Sequence, residues 1–483
     1  MATQTEKEQL VRKLSEELQE ENLALFAGAG LSVSAGYVDW AGLLKPVAEE
    51  LQLDIEKEKA DLVSLAQYHY NEKGRNRSRL NQLLITNFCR SAEITSNHKI
   101  LARLPITTFW TTNYDKLIER SLEDAGKIPD VKFTKASLAK TTPRRDAIVY
   151  KMHGDVDHPS EAVLTRLDYE KYHVDKQSFI NALTGDITSK TFLFLGFSFS
   201  DPNIDYILSR VRIAYDENQR MHHCILRTVQ RKDFQDQAEF EYRKRKQDYF
   251  IRDLLGYGIQ SLMIDEYSEI TEILESLEQQ YRRDTVFISG AAHSYEPRDE
   301  EETLQFVASL SKSIIQKKFR VVSGFGLGIG SAVITGALEQ IYMKYGETIR
   351  SERLILRPFP QVSAKGMDSS EIWTEYRHDM LSFSGVAIFI FGNKLNPDDG
   401  VVLSNGMREE FEIAKEKKLF LLPIGATGYI AKELWHEVNE RFDEYNGAVS
   451  QRVKDCFTRI GNADASFDQI LEDVITILDE IRN

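Results

Sequence analysis

Short apolar strands alternate with longer helical patterns along the chain, and this alternation starts afresh at residue 285. Such alternation is typical of stacked βαβ units around a mostly parallel sheet. The sequence therefore predicts an α/β fold with two Rossmann-like three-layer domains, at residues 1–283 and 284–483. Residues 40–100 contain no convincing strand and are expected to form a helical insertion in the first domain. The strands are predicted at 22–28, 106–112, 147–154, 191–198, 222–228 and 259–265, and then within 285–292, 319–323, 353–359, 385–394 and 418–425.

Composition narrows the class of protein. A formal net charge of −14 over 483 residues argues against general affinity for nucleic acid or an anionic membrane, because such surfaces need clustered Lys and Arg. No run of about 18 apolar residues predicts a transmembrane helix, and the N-terminus forms an amphipathic helical pattern, with Leu10, Leu14 and Leu18 on one stripe, and not a signal peptide. The three cysteines have no Cys-x-x-Cys spacing, so neither a zinc site nor a disulfide framework is expected. We expect a cytoplasmic protein without a metal.

The stretch "LFAGAGLSVSAG", residues 25–36, follows the first predicted strand. Glycines let a backbone bring its N–H groups close to a phosphate, and a following helix adds its positive end. A nucleotide cradle is one interpretation. A tight strand-to-helix turn that binds nothing is the other, and the glycines alone do not decide between them.

Polar residues end three further strands of the first domain, and ligands of open α/β sheets bind at strand ends. "TTNYD" contributes Asn113 and Asp115, "KMHGD" contributes His153, and "GFSFSDPN" contributes Ser198 and Asp201. Taken singly, each has an ordinary structural explanation, such as a turn residue or a helix cap.

The strings "GAGLS", "TTNYD", "HGD" and "GFS" occur in the order and rough spacing of the sirtuin NAD-binding signatures, so residues 20–280 resemble a sirtuin-like domain. The resemblance implies an NAD site that breaks the bond between nicotinamide and ribose, with Asn113 and His153 catalytic. It also implies a set of NAD-binding residues: Gly28, Ala29, Gly30, Ser32, Asp115, Gly196, Ser198 and Asp201. Protein-deacylating sirtuins carry two Cys-x-x-Cys pairs, and their absence here puts an acyl-lysine groove in doubt.

The second domain has its own glycine turn, "SGFGLGIG" at 323–330, followed by "YRHD", "FGNK" and "SNGMREEFEIA". This set resembles the SLOG group of Rossmann-like domains, although the Pro-Gly-Gly-x-Gly-Thr-x-x-Glu loop of its enzymes is largely lost. A binding pocket is therefore favoured over a second active site, with surface ion pairs at an oligomer contact as the alternative. The predicted regulatory ligand site comprises Ser289, Gly290, Gly324, Gly326, Gly328, Arg377, Lys394, Asn405, Gly406 and Glu409.

A sirtuin-like domain followed by a SLOG domain resembles the effectors of the Thoeris antiphage system. That resemblance implies a bacterial NAD+ hydrolase activated by a cyclic ADP-ribose isomer, which a TIR-domain partner makes and the SLOG domain binds. It further implies a homo-oligomer, typically a tetramer, with no cofactor beyond NAD+ as substrate. A protein deacylase or ADP-ribosyltransferase, and a non-catalytic nucleotide sensor, are the alternatives.

Overall fold

The computed structural model describes residues 3–59, 61–90, 92–342, 351–359, 369–396, 398 and 400–482. The chain divides into two compact units, Met1–Glu278 and Gln279–Asn483. The division falls within one long helix, and the predicted domain boundary between 283 and 284 lies at the end of that helix. Both units are α/β, with mostly parallel sheets, as the sequence predicts.

The first unit is built on a seven-stranded parallel sheet in the order β3-β4-β2-β1-β5-β6-β7. Its strands are β1 Leu23–Ala27, β2 Thr108–Thr111, β3 Pro129–Lys132, β4 Ala147–Lys151, β5 Thr191–Leu195, β6 His222–Arg227 and β7 Ile259–Ile264. Its helices are α1 Gln4–Gln19, α2 Ala29–Val33, α3 Trp40–Glu50, α4 Ile55–Glu58, α5 Leu62–Glu72, α6 Ser78–Phe88, α7 Ser96–Arg103, α8 Leu117–Asp124, α9 Lys135–Leu138, α10 Arg166–Asp175, α11 Gln177–Ser189, α12 Pro202–Tyr215 and α13 Gln237–Gly256, with α14 Ser268–Arg283 crossing the division.

The central strands are buried on both faces. All five residues of β1 and of β5 are buried, which explains why "LALFA" and "TFLFL" are continuous apolar runs. After the short α2, the helices α3 to α7 lie between β1 and β2 and confirm the helical insertion at 40–100. The apolar faces of α3, α5 and α6 form a separate core cluster that includes Leu44, Leu65 and Leu84.

The second unit contains a five-stranded parallel sheet in the order β10-β9-β8-β11-β14 and a separate antiparallel pair, β12-β13. The strands are β8 Thr285–Ala291, β9 Arg320–Ser323, β10 Leu354–Leu356, β11 Val386–Phe391, β12 Asn393–Asn396, β13 Gly400–Leu403 and β14 Phe420–Pro423. The helices are α15 Glu300–Gln316, α16 Gly330–Tyr342, α17 Ser369–Ser382, α18 Asn405–Glu416, α19 Tyr429–Glu440, α20 Phe442–Asn446, α21 Gln451–Arg459 and α22 Phe467–Arg482.

Strand order reverses at one strand in each sheet. β1 lies between β2 and β5, and β8 lies between β9 and β11. Where the order reverses, the helices that follow two neighbouring strands pack on opposite faces of the sheet. This arrangement leaves a crevice at the carboxyl ends of those strands. The crevice beside β1 and the crevice beside β8 are therefore the places in each unit where a ligand is expected.

Candidate functional site

The candidate residues of the first unit follow four strands that end at the same edge of the sheet. Register pairs Ala27 with both Thr111 and Leu195, and Thr111 with Lys151, so β1, β2, β4 and β5 end side by side. The segments that follow these four ends contain the "GAGLS", "TTNYD", "HGD" and "GFS" strings.

The glycines of the first and fourth segments pack backbone against backbone. A Cβ on Gly28 would stand 2.4 Å from the Gly196 carbonyl oxygen, and a Cβ on Gly196, whose φ is +62°, would stand 2.2 Å from the Leu31 nitrogen. The N–H of Gly28 donates to Leu195 O and that of Gly30 donates to Gly196 O, both at 2.9 Å. Two N–H groups that were expected to face a pyrophosphate thus join the loops to each other, and the glycines permit this close approach.

Asn113 fastens the second segment to the first. Its Nδ2 donates to Gly28 O and to Ser32 Oγ, each at 3.0 Å, and its backbone N–H donates to Thr111 Oγ1 at 2.9 Å. The residue is 9% exposed. Since both amide hydrogens are engaged by protein, the amide oxygen is the atom that can accept a hydrogen bond from a substrate hydroxyl or a water.

His153 is joined to the fourth segment through Asp201. Its Nε2 lies 3.0 Å from Asp201 Oδ2, which also accepts a hydrogen bond from the Tyr169 hydroxyl at 3.1 Å. The other carboxylate oxygen caps α12 by accepting from the N–H groups of Asn203 and Ile204. Burial raises the pKa of Asp201, but the facing His153 and the hydrogen bonds outweigh it and hold that pKa below its ordinary value. A carboxylate against a buried imidazole fixes the orientation of the ring.

Asp115 is buried beside the same crevice. Its Oδ1 accepts from the N–H of Leu117 at the start of α8, whereas its Oδ2 has no hydrogen-bond partner among the residues that the structure describes. A buried carboxylate oxygen without a partner is costly, so it is available to a donor from a ligand. Ser198 is exposed and pairs with Ser200, with 2.7 Å between the two hydroxyl oxygens.

Two buried partners in this region escaped sequence reasoning. Tyr169 lies on α10 and donates to Asp201, and Lys151 ends β4 directly before the "HGD" segment. A lysine closing an otherwise apolar strand was the available signal for the second. Tyr169 gave no signal, because its contact depends on the packing of α10.

The glycine loop of the second unit packs against the end of β8. A Cβ on Gly326 would stand 1.8 Å from the Gly290 carbonyl oxygen, and a Cβ on Gly328, whose φ is +76°, would stand 2.0 Å from the Ala292 carbonyl oxygen. Gly324 faces the sulfur of Met380 instead. The structure thus brings Ser289, Gly290 and this loop together at the crevice beside β8.

Arg377 on α17 meets the acids of α18. Its Nη1 donates to Glu409 Oε2 at 2.8 Å, and its Nε lies 3.6 Å from Glu410 Oε1. Ser289 Oγ donates to the other Glu410 oxygen at 2.5 Å, and burial raises the pKa of Glu410. The Arg377 guanidinium also lies 4.5 Å from the centre of the Phe359 ring. A buried, forked cation beside an aromatic face suits a phosphate or a stacked base.

The remaining predicted residues of the second site are less closely joined. Gly406 lies against Arg377, whose Nη2 would stand 2.9 Å from an added Cβ. Lys394 on β12 and Asn405 at the start of α18 are exposed. Sequence reasoning missed the buried Asn393, whose side chain accepts from the N–H groups of His293 and Ser294 and holds the β8–α15 loop.

Neither a metal cluster nor a membrane span is found in the part of the chain that the structure describes. No three His, Cys, Asp or Glu side chains there are grouped to hold a metal ion. None of its helices is long and apolar enough to cross a membrane.

Two family models match parts of the chain. A SIR2-like domain model matches residues 107–254, and a model of the Sir2- and TIR-associating SLOG family matches residues 269–481. The NAD(+) hydrolase ThsA of Bacillus cereus (strain MSX-D12) is 51% identical over 99% of this chain and 98% of its own length. The NAD(+) hydrolase ThsA of Acinetobacter baumannii (strain 532279) is 47% identical over 93% of this chain and 94% of its own. Defense-associated sirtuin 2 of Bacillus subtilis is 28% identical over 42% of this chain and 20% of its own length.

Proposed function

The chain belongs to the NAD(+) hydrolase ThsA family, and from that premise we propose that Asn113 and His153 of the first unit cleave NAD+ into nicotinamide and ADP-ribose. The enzyme is an NAD+ glycohydrolase with a SIR2-like domain and a SLOG domain. Its site residues and its regulation are the part that we infer.

One observation carries the assignment of the catalytic site: four segments far apart in the chain form a single connected network. Asn113 is bonded to Gly28, Gly28 packs against Gly196, and the segment after Gly196 carries Asp201, which faces His153. An amide and an imidazole thereby reach the carboxyl edge of the sheet from adjacent strands β2 and β4. Binding NAD+ alone does not require a buried imidazole paired with a carboxylate, so this arrangement favours catalysis.

Cleavage of the bond between nicotinamide and ribose requires few protein groups. Nicotinamide in NAD+ is already a cationic leaving group, so the C–N bond breaks with its electron pair going to nitrogen and the ribose becomes oxocarbenium-like, as in glycoside cleavage. A water oxygen then bonds to the anomeric carbon and gives up a proton. The amide oxygen of Asn113 can orient that water or a ribose hydroxyl. His153, with Asp201 behind it, can accept the proton.

The test of this site is nicotinamide release by purified full-length variants. Asn113→Ala and His153→Ala should each lower it by at least about 100-fold, because each removes a group that acts on the reacting centre. His158→Ala is the matched control, since this exposed histidine lies five positions from His153. Undiminished turnover in either site variant, at an unchanged melting midpoint, would refute the assignment.

We further propose that the second unit binds a cyclic ADP-ribose isomer made by a TIR-domain partner, and that binding activates hydrolysis. The description of the SLOG family as Sir2- and TIR-associating supports this role, as does the cluster of Arg377, Glu409 and Phe359 at the crevice beside β8. An uncontrolled NAD+ hydrolase would damage its own cell, so gating fits a role in antiphage defence. Activation requires the ligand to prefer one state of a homo-oligomer, which we expect to be a tetramer, by a few kcal/mol.

This regulatory proposal is tested by adding individual cyclic ADP-ribose isomers to the enzyme with NAD+. We expect a low basal rate that rises with one isomer, and Arg377→Ala should abolish the rise while the basal rate persists. Arg408→Ala is the control, because Arg408 lies on α18 next to Glu409 but pairs with Glu433 and Glu437 instead. A full response of the Arg377 variant, with unchanged affinity, would remove Arg377 from the site. An acetyl-lysine peptide in parallel reactions separates hydrolysis from deacylation.

A further inference from the structure

We propose that Lys151 is a positioning residue for NAD+ hydrolysis, whose buried ammonium holds the loop carrying Asn113 and the loop carrying His153 in a fixed relation. This inference rests on the proposed function of those two residues. It concerns a side chain that makes none of the contacts expected with NAD+ and acts only through the main chain and side chains around it.

Lys151 is placed directly beneath both loops. It is the last residue of β4, it is 0% exposed, and its register partner on β2 is Thr111. Asn113 follows Thr111 by two residues and His153 follows Lys151 by two residues. The ammonium therefore lies at the level where the two catalytic loops leave adjacent strands.

Four oxygens from three segments surround the ammonium. Its Nζ donates to the carbonyl oxygens of Tyr114 at 3.2 Å and Asp115 at 2.6 Å, both in the loop that begins with Asn113. It donates to Asp155 Oδ2 at 2.5 Å, in the loop that carries His153. The carboxylate of Glu119, in the first turn of α8, lies 2.9 Å away. One cation thus joins the Asn113 loop, the His153 loop and the helix that follows.

The charge on Lys151 is maintained by its neighbours. Burial lowers the pKa of a lysine, but the carboxylates of Glu119 and Asp155 outweigh burial and hold the pKa of Lys151 above its ordinary value. A buried ion pair is seldom the most stabilising solution, because an apolar side chain avoids the desolvation cost. The cation does what an apolar residue could not, since it binds two main-chain carbonyls beside Asn113 and a side chain beside His153.

The expected consequence of loosening these loops is kinetic. A displacement of about 1 Å at a reacting group costs roughly 100-fold in rate. Because the partners of the Lys151 ammonium include neither Asn113, nor His153, nor the glycine loops, its loss should lower kcat and leave KM for NAD+ nearly unchanged.

The test variant must remove the cation without leaving two buried carboxylates charged and unpaired. The triple change Lys151→Met, Glu119→Gln and Asp155→Asn neutralises the whole cluster. The matched control is Lys132→Met with Asp130→Asn, because Lys132 is another buried lysine of the same sheet, 2.8 Å from Asp130 and bonded to main-chain carbonyls. Both residues lie on β3, and the side-chain hydrogen bonds recorded for them in the described structure go to Ser137, Lys140, Thr142 and Arg145, outside both catalytic loops.

Both full-length variants are assayed with NAD+ and the cyclic ADP-ribose isomer that gives the unsubstituted chain its highest rate. We expect the triple variant to lose about 100-fold in kcat with KM changed by no more than about threefold, and the control to retain its kcat. Amide hydrogen exchange should increase at 113–117 and 153–157 in the triple variant alone. Retained kcat in the folded triple variant, or an equal loss in the control, would overturn the proposal.

One further variant, together with the two site variants described above, keeps the outcomes separate. If the triple variant does not fold, Lys151→Arg keeps the charge but changes the donor geometry; a lower kcat at an unchanged melting midpoint supports the proposal, and an unchanged kcat overturns it. Full activity of Asn113→Ala and His153→Ala would instead refute the proposed function. Inactivity of those two beside a fully active Lys151 variant would refute this inference alone.

Discussion

Asp201 serves two purposes with one carboxylate, and Asp201→Asn separates them. Its Oδ1 caps α12 through the N–H groups of Asn203 and Ile204, while its Oδ2 faces His153. Asparagine keeps an oxygen for the cap but carries no charge. Since Asn and Asp cap helices about equally well, the cap itself should cost no more than about 0.5 kcal/mol.

The catalytic loss follows from the distance. A protonated imidazole and a carboxylate 3.0 Å apart attract by about 5 kcal/mol at an effective dielectric constant near 20. Other dipoles of the site replace part of that attraction, so we expect about 3 kcal/mol to be lost when His153 holds the proton, roughly 100-fold in kcat. The hydroxyl of Tyr169 would also exchange a charged acceptor for a neutral one.

The assay is kcat for nicotinamide release as a function of pH, together with the thermal midpoint. Asp201→Asn should lower kcat by about 100-fold at every pH where the unsubstituted enzyme works, with its midpoint nearly unchanged. Asp201→Ala, which also removes the cap, should lose the same activity and about 1 kcal/mol of stability. An Asp201→Asn enzyme with kcat within about threefold of the unsubstituted one would show that His153 does not depend on this charge.

Two further predictions concern the fold of the first unit. Gly196→Ala should abolish activity and greatly lower the melting midpoint, because the new Cβ would stand 2.2 Å from a backbone nitrogen. The control is Gly185→Ala on α11, which has open space around it and should be neutral or stabilising. Equal melting midpoints for the two variants would refute the packing role of Gly196. Burial lowers the pKa of His222 to about 3, so its contribution to stability is present above about pH 6.5 and is lost as pH falls toward 3, by up to about 1.4 kcal/mol per pH unit. Urea unfolding between pH 6.5 and 4 should show a shallower pH dependence for His222→Gln, and an unaltered slope would contradict this assignment.

The strands were predictable where the sheet is buried. Each of the six strands predicted in the first unit is present. The clearest signals came from β1 and β5, because a strand covered on both faces needs an uninterrupted apolar run. β3 was missed because its "PDVK" contains a proline and two charges, of which Asp130 and Lys132 form a buried ion pair. The β12-β13 pair was missed as well, because "NKLN" and "GVVL" are short, are mostly exposed and do not alternate apolar with polar residues.

The candidate site was predictable in its positions and less so in its contacts. Asn113 and His153 each follow a predicted strand, and parallel strands end at one edge of a sheet. Their positions in the sequence therefore predicted that they lie close together. Asp201 was predicted to touch NAD+, and its carboxylate lies against His153 instead of standing free. Such pairings depend on how a loop folds back across the sheet, which neither periodicity nor spacing encodes. The NAD+ contacts of the individual residues stay predictions.

The strand order of the first sheet has a consequence for how the cell makes this enzyme. β5 pairs with β1, and Asp201 follows β5 in the chain. The carboxylate that faces His153 is therefore in place only after more than two hundred residues have left the ribosome. A nascent chain that stops earlier holds the amide, the imidazole and the first glycine turn without the strand that locks them together. Fragments that end before β5 therefore lack both the strand that pairs with β1 and the carboxylate that faces His153.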